Sequence, residues 1–371
     1  MATKNVLVTG ASGFIGSNLC VTLERLENVN VIKYTHDANI NDLPDLVKKS
    51  DFVFHLAGVN RPQNETEYFE GNADLTGSIC NAIRAAGKQI PIVLTSTIQA
   101  ERMNAYGRSK LRAEMHLLDL YMDISNPVYI YRLPNVFGKW CRPNYNSVVA
   151  TFCHNISHDL PIQINDPNAE LNLVHIGEVV TSFIDVLLNH PKETLHVDVN
   201  PVYKITVGDL AKQLYKFKES RDTLVIEAVG NGFLRALYAT YISYISPDQF
   251  NYPLVKYEDL RGEFVEMLKT KDSGQFSFFT AHPGITRGGH YHHVKTEKFL
   301  VIKGNACFRF RHITSDEVCE IHTSGDKPEV VETVPGWSHD VTNVGGDEMV
   351  VMLWANENFN PAKPDTVTYK V

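Results

Sequence analysis

No stretch of this 371-residue chain approaches the roughly 18 uninterrupted apolar residues that a bilayer-spanning helix needs, so no membrane partner is expected. Met1 leads straight into an apolar strand and a glycine turn, which leaves no room for a signal peptide. The six cysteines (Cys20, Cys80, Cys141, Cys153, Cys307 and Cys319) include no C-x-x-C pair. Neither a dithiol redox motif nor a thiolate zinc site is indicated, and a reducing cytoplasm is the expected compartment. Positive charge is also short: the formal net charge of −8 argues against nucleic acid as a partner, while leaving small anionic ligands open. There is no internal repeat, low-complexity tract or flexible linker.

What remains is a globular composition, 43% hydrophobic and 21% charged, on a chain too long for one ordinary core and suited to two domains. Up to about residue 190, short β-rich runs alternate with apolar-periodic stretches. The runs 5–9, 29–34, 51–57, 90–95 and 128–133 read as strands, and 17–26, 43–49, 74–86 and 106–120 as helices. Such alternation predicts an α/β, Rossmann-type, doubly wound parallel sheet. Beyond the break at Ser246-Pro247-Asp248 the segments 275–280, 297–301, 306–312, 330–334 and 348–354 read as short strands between Gly, Pro or Asp turns, an all-β sandwich or barrel. The expected domains are 1–245 and 246–371.

Gly10-Ala-Ser-Gly13-Phe14-Ile15-Gly16 follows the first strand and opens a helix. Glycines there let the backbone approach a pyrophosphate, and the helix N-terminus offers it unpaired N–H groups, so the motif predicts dinucleotide binding. Tyr106 and Lys110 lie four apart, one helical turn on one face. An ammonium beside a phenol lowers its pKa and equips it to move a proton at a carbinol or carbonyl carbon. At the end of the second strand stand Thr35 and His36, with no acid to repel a 2′-phosphate, which favours NADPH over NADH; Asp37 is the residue that could reverse this.

In the last third, His290 and His292 can present two imidazoles to one side of a strand. Glu297 would face away on a straight strand, so a bend must intervene, and His339 would arrive from a distant strand. Three nitrogens and one oxygen suit Zn²⁺, and equally Fe²⁺, Mn²⁺ or Ni²⁺.

TGASGFIG, HLAG (55–58), Ser96-Thr97, YGRSK, RLPNVFG (132–138) and VHIGEV (174–179) fall in the order of the extended short-chain dehydrogenase/reductase family, which residues 1–240 resemble. The resemblance implies that Gly10, Gly13, Phe14, Ile15, Gly16, Ala57 and Lys110 face the cofactor, with Thr35 and His36 at its ribose. It also implies that Tyr106 and Lys110 form the proton relay, that Thr97 orients the substrate oxygen, and that Asn135 lies beside a nucleotide-linked sugar. Where sugar-nucleotide dehydratases follow the Thr with an acidic pair, this chain has Ile98 and Gln99, which turns the expectation from elimination to simple redox chemistry.

Residues 255–371 resemble the cupin family, with Gly284-x5-His290-x-His292-x4-Glu297-x6-Gly304 and then Gly336-x2-His339-x3-Asn343. That implies a metal-binding β-barrel and a homodimer.

The two halves in this order resemble the CapF-type bifunctional enzymes of bacterial capsular polysaccharide synthesis. The implied chemistry is C3 epimerisation of a UDP-linked 4-keto-6-deoxy-N-acetylhexosamine in the cupin part, then C4 reduction with NADPH to UDP-2-acetamido-2,6-dideoxy-L-talose, toward UDP-N-acetyl-L-fucosamine. Two alternatives stand beside it: a single-activity sugar-nucleotide reductase or 4-epimerase with a structural cupin, and a non-enzymatic metabolite sensor.

Overall fold

The computed structural model describes residues 3–191, 195–362 and 364–371. The chain forms two compact units, Met1–Leu214 with Ala236–Ile245, and Tyr215–Arg235 with Ser246–Val371. The chain thus passes between the units three times, and residues 215–235 sit with the second unit. The reason is a two-residue strand, Val225–Ile226, which pairs in parallel with Lys269 and Thr270. So short a strand carries no period that a sequence could display.

In the first unit, β1 (Lys4–Thr9), β2 (Val29–Tyr34), β3 (Phe52–His55), β4 (Ile92–Thr97) and β5 (Val128–Leu133) form a wholly parallel sheet in the order β2-β1-β3-β4-β5. Alternation along the strands supplies two cores. Val6, Val8, Phe52 and Phe54 pack against Leu19 and Leu23 of the Phe14–Leu23 helix and Phe183 of the Ile176–Asn189 helix. On the opposite face Leu7, Val53 and Ile92 meet Leu43, Val47, Ile79, Ile83 and Leu117. Burial on both faces explains why β3 and β4, unlike the edge strand β2, read as near-continuous apolar runs. The chain order reverses beside β1, and in doubly wound sheets ligands bind outside the carboxyl ends of the strands at that point.

The second unit holds the expected cupin-type barrel, built from two sheets that are antiparallel apart from the Val225–Ile226 pairing. One runs Lys256–Asp259, Gly262–Thr270, Gln275–Ala281, Met349–Ala355, Glu297–Lys303, Val330–Glu332; the other Val318–Ser324, Asn305–His312, Trp337–Asn343, Thr286–Tyr291, Val367–Thr368. Phe279, Phe299, Phe308, Phe310, Val341 and Val351 fill the space between them. Several of these strands escape a sequence reading: Thr286–Tyr291 carries two glycines and a bulge between Gly288 and His290, which breaks the alternation. No helix among the described residues is long and apolar enough to cross a membrane.

Candidate active site and metal centre

Gly10 leaves β1 with φ +66°, and a Cβ on it would lie 2.7 Å from the backbone nitrogen of Ala57. Only glycine lets the turn cross the end of β3 so closely. The turn launches the Phe14–Leu23 helix, which starts three residues earlier than its apolar period suggests and has Gly13 as an N-cap without side-chain hydrogen bond. Its first amides are thereby left for an anion.

At the end of β3, His55 is fully buried, with Nδ1 2.7 Å from Thr9 Oγ1 and Nε2 2.9 Å from Thr76 Oγ1. Burial, reinforced by the Lys110 charge, pushes its pKa down to about 3. It is a neutral tie between strands and helix.

The catalytic candidates come from β4 and the helix Ala105–Ile124. Asn104 caps that helix by accepting from the Gly107 amide at 2.7 Å, fixing Tyr106 in the first turn. Burial raises the Tyr106 phenol pKa against a lowering hydrogen bond with Thr97, and neighbouring Tyr68 raises it further. The phenol therefore stays protonated. This differs from the lowering expected of a neighbouring ammonium, because the buried Lys110 directs Nζ to the Thr95 carbonyl at 3.2 Å. Burial brings the Lys110 pKa down to about 8, opposed by Glu114. A Cβ at Gly58 would come within 2.9 Å of that Nζ, so the glycine of HLAG makes room for the lysine.

Glu114, one turn beyond Lys110, is 2% exposed. It accepts from Ser96 Oγ and is forked by Arg132, whose Nε lies 3.1 Å from Oε1 and Nη2 2.7 Å from Oε2. This network joins β4, β5 and the helix behind Tyr106 and Lys110. Neither Glu114 nor its link to Arg132 was visible in the motifs, since the two lie 18 residues apart.

Gly10, Gly13, Phe14, Ile15, Gly16, Thr97, Tyr106, Lys110 and Asn135 line one cleft of 1310 Å³. Thr35, His36 and Ala57 are not among its lining; His36 is exposed and pairs with Asp37 at 3.1 Å. Arg61, Arg102 and Arg142 also line the cleft and bring positive charge to a chain of negative net charge. No spacing signals them.

In the barrel, His290, His292, Glu297 and His339 converge, with donor atoms all within 4.8 Å of one another. His290 and His339 are cross-strand partners, their ring centroids 4.7 Å apart. The strand ends at Tyr291 and the next begins at Glu297, so the required bend is the turn between them. His292 Nε2 lies 3.1 Å from Glu297 Oε2, and its Nδ1 donates to the backbone carbonyl of Asp365. The Asp365 carboxylate accepts from the amides of His293, Val294 and Lys295 at 3.0, 2.7 and 2.8 Å, pinning the turn. Nδ1 of the buried His339 makes no hydrogen bond, and its Nε2 lies 3.3 Å from Glu297 Oε2.

Burial, then the neighbouring His339 and His292, push the His290 pKa down to about 4, leaving a free imidazole lone pair near neutrality. Burial alone would raise the Glu297 carboxyl; the two imidazoles and Lys295, 2.7 Å from Oε1, outweigh it and hold it far below the usual range. Three imidazoles, that of His290 held neutral, and a carboxylate are a donor set that fits a divalent cation. Asp340 faces the opposite side of its strand from His339, where Arg309 forks it at 3.0 and 2.6 Å while its carboxylate stays buried.

A parallel sheet with a glycine turn at its switch point and a Tyr-x-x-x-Lys helix defines a nicotinamide-nucleotide epimerase/reductase class. The chain belongs to the NAD dependent epimerase/dehydratase family, which it matches over residues 6–203, while residues 257–367 match the Polysaccharide biosynthesis C-terminal domain. It is 57% identical over 366 residues to the UDP-2-acetamido-2,6-beta-L-arabino-hexul-4-ose reductase of Pseudomonas aeruginosa, covering 99% of this chain and 98% of that one. The structure matches that of the capsular polysaccharide assembling protein CapF from Staphylococcus aureus with a TM-score of 0.92 and 42% identity, over 99% of this chain and 100% of the other. The UDP-glucuronic acid 4-epimerase of Bacillus cereus, solved with NAD, shares the fold over 58% of this chain and 84% of its own, with a TM-score of 0.53 and 20% identity.

Proposed function

We propose that this chain is a bifunctional UDP-sugar enzyme of capsular polysaccharide synthesis. The barrel inverts C3 of a UDP-linked 4-keto-6-deoxy-N-acetylhexosamine, and the first unit then reduces C4 to give UDP-2-acetamido-2,6-dideoxy-L-talose. The observation that carries it is the half-buried Tyr106 beside Thr97, its phenol pKa raised by burial, with Ile98 and Gln99 following. The cleft has a proton donor at the C4 oxygen but no acid–base pair for elimination. The Pseudomonas relative is named for reducing a hexul-4-ose, a sugar with its carbonyl at C4.

NADPH, when bound along Gly10–Gly16, supplies the hydride that adds to C4. Tyr106 gives its proton to the C4 oxygen, Thr97 holds that oxygen, and Lys110 keeps a positive charge behind the phenol. Asn135 contacts the sugar. Thr35 and His36 carry no acid themselves, which favours NADPH, although Asp37 pairs with His36 at 3.1 Å; titration with NADPH and NADH tests this, and tighter NADH binding would overturn it.

His290, His292, Glu297 and His339 would hold a divalent cation, Zn²⁺ by donor chemistry, and such an ion would supply Lewis acidity at an oxygen adjacent to C3. Glu297 is kept ionised for it by Lys295 and the imidazoles. The all-exposed edge strand Lys256–Asp259 supports a homodimer, which light scattering would test.

A second reading keeps reduction alone and makes the barrel structural; the relative's name, which mentions only a reductase, favours it. Proton NMR in D₂O with the UDP-4-keto sugar separates the two. Deuterium entering C3 without NADPH, and C4 reduction only with it, is the expected result. Reduction without any C3 exchange would leave the reductase and remove the epimerase.

A further inference from the structure

A second set of donors lies on the outer face of the barrel, away from the His290 cluster. Along Asn305–His312, Ala306, Phe308 and Phe310 point into the core, so Cys307 and Arg309 point outward. Cys307 is the cross-strand partner of His322, and Glu320 stands two residues before His322, on the same face. Cys307 Sγ is 3.7 Å from His322 Nε2, and that nitrogen is 3.8 Å from Glu320 Oε2. All three donors lie within 4.8 Å of one another.

We infer that Cys307, His322 and Glu320 form a second divalent-cation site, selective for borderline-soft ions such as Zn²⁺. With Zn–S about 2.3 Å and Zn–N or Zn–O about 2.0–2.2 Å, a tetrahedral ion sets its S···N edge at about 3.5 Å and its N···O edge at about 3.4 Å. The observed separations exceed these by a few tenths of an ångström, within reach of small side-chain rotations. The thiol is held at its backbone by ladder pairs to both His322 and Thr342, while His322 and Glu320, 67% and 53% exposed, leave the entry path and a fourth position to water.

Charge balance agrees. On binding, Cys307 releases its proton to solvent, and thiolate plus carboxylate neutralise the ion. Free of metal, the thiol is held up by burial and by Glu320, against Arg309. The consequence is mechanical: Val318–Ser324 is the edge strand of its sheet, and the ion staples it to Asn305–His312.

Cobalt titration of the apo-protein tests this, because the barrel cluster has no sulfur and a thiolate-to-cobalt charge-transfer band can report only a cysteine ligand. Two Co²⁺ per chain are expected, with the band lost in Cys307→Ser and His322→Ala, kept in Cys319→Ser, and kept in His290→Ala although one equivalent disappears. EDTA should strip the sulfur-bound ion first, since its donors are fewer and more exposed. One equivalent only, no charge-transfer band, or a band surviving Cys307→Ser would overturn the site. Should Cys307→Ser fail to fold by circular dichroism, the exposed substitutions His322→Ala and Glu320→Gln decide it by the same band.

Discussion

Lys110 Nζ donates to the carbonyl of Thr95 at 3.2 Å and is fully enclosed, so its charge is anchored to β4 behind the phenol. Its amine, brought down to about 8 by burial, loses its proton within the accessible pH range. Tyr106, raised by burial, does not. The NADPH-oxidation rate should therefore fall as pH rises through about 8. Stability should move the other way: a folded pKa below the unfolded value of about 10.4 makes the buried charge a cost that is full below pH 8 and fades toward 10.4. A flat rate profile between pH 7 and 9, apart from substrate breakdown, would contradict the role given to Lys110.

Tyr106→Phe removes only the phenolic proton. It should lower NADPH oxidation by at least about 100-fold, the usual contribution of a positioned acid. Deuterium exchange at C3 should survive, because the barrel cluster is untouched. Loss of both activities would sink the two-site reading.

His290→Ala leaves three of the four donors. Zinc content by atomic absorption should fall by one equivalent, and C3 exchange should stop. Exchange at the unaltered rate would refute a catalytic ion.

Asp365→Ala tests the turn that carries His292. Three backbone amides lose their acceptor, and the carbonyl that orients His292 Nδ1 is no longer held. Outer partners of this kind typically affect metal affinity by about 10-fold or more. Calorimetric zinc titration should show that loss; unchanged affinity would make the contact incidental.

Arg132→Leu strands the Glu114 carboxylate, 2% exposed, with Ser96 Oγ as a hydrogen-bond donor and the Lys110 charge nearby. Removing one partner of such a pair costs roughly 3 kcal/mol. Urea unfolding of the first unit should shift by that amount, and a shift under about 1 kcal/mol would place the pair among weak surface bridges.

The parts of the fold legible in the sequence were those with a strong local period or obligatory chemistry. Strands 29–34 and 128–133 and helix 43–49 match at both ends. The Ala105–Ile124 helix starts one residue before its apolar period, where Asn104 caps it, and runs four residues past the end of that period. Strands such as Val318–Ser324, exposed along most of one edge, carry no alternation to read. Arg61, Arg102 and Arg142 belong to the cleft only because separate loops bring them there.

By itself the sequence determined the glycine turn and the Tyr106–Lys110 pair, because each is a fixed spacing that local geometry turns into a shared face; it named His290, His292, Glu297 and His339, but the turn before Glu297 and cross-strand pairing bring them together. Only the tertiary structure decided protonation and second partners. Burial overturns the expectation that Lys110 lowers the Tyr106 pKa, since enclosure raises the phenol while Lys110 is tied to Thr95. Likewise the absence of any C-x-x-C spoke against a thiolate metal site, yet cross-strand register puts Cys307 beside His322, a neighbourhood fifteen residues apart in sequence that only pairing can create.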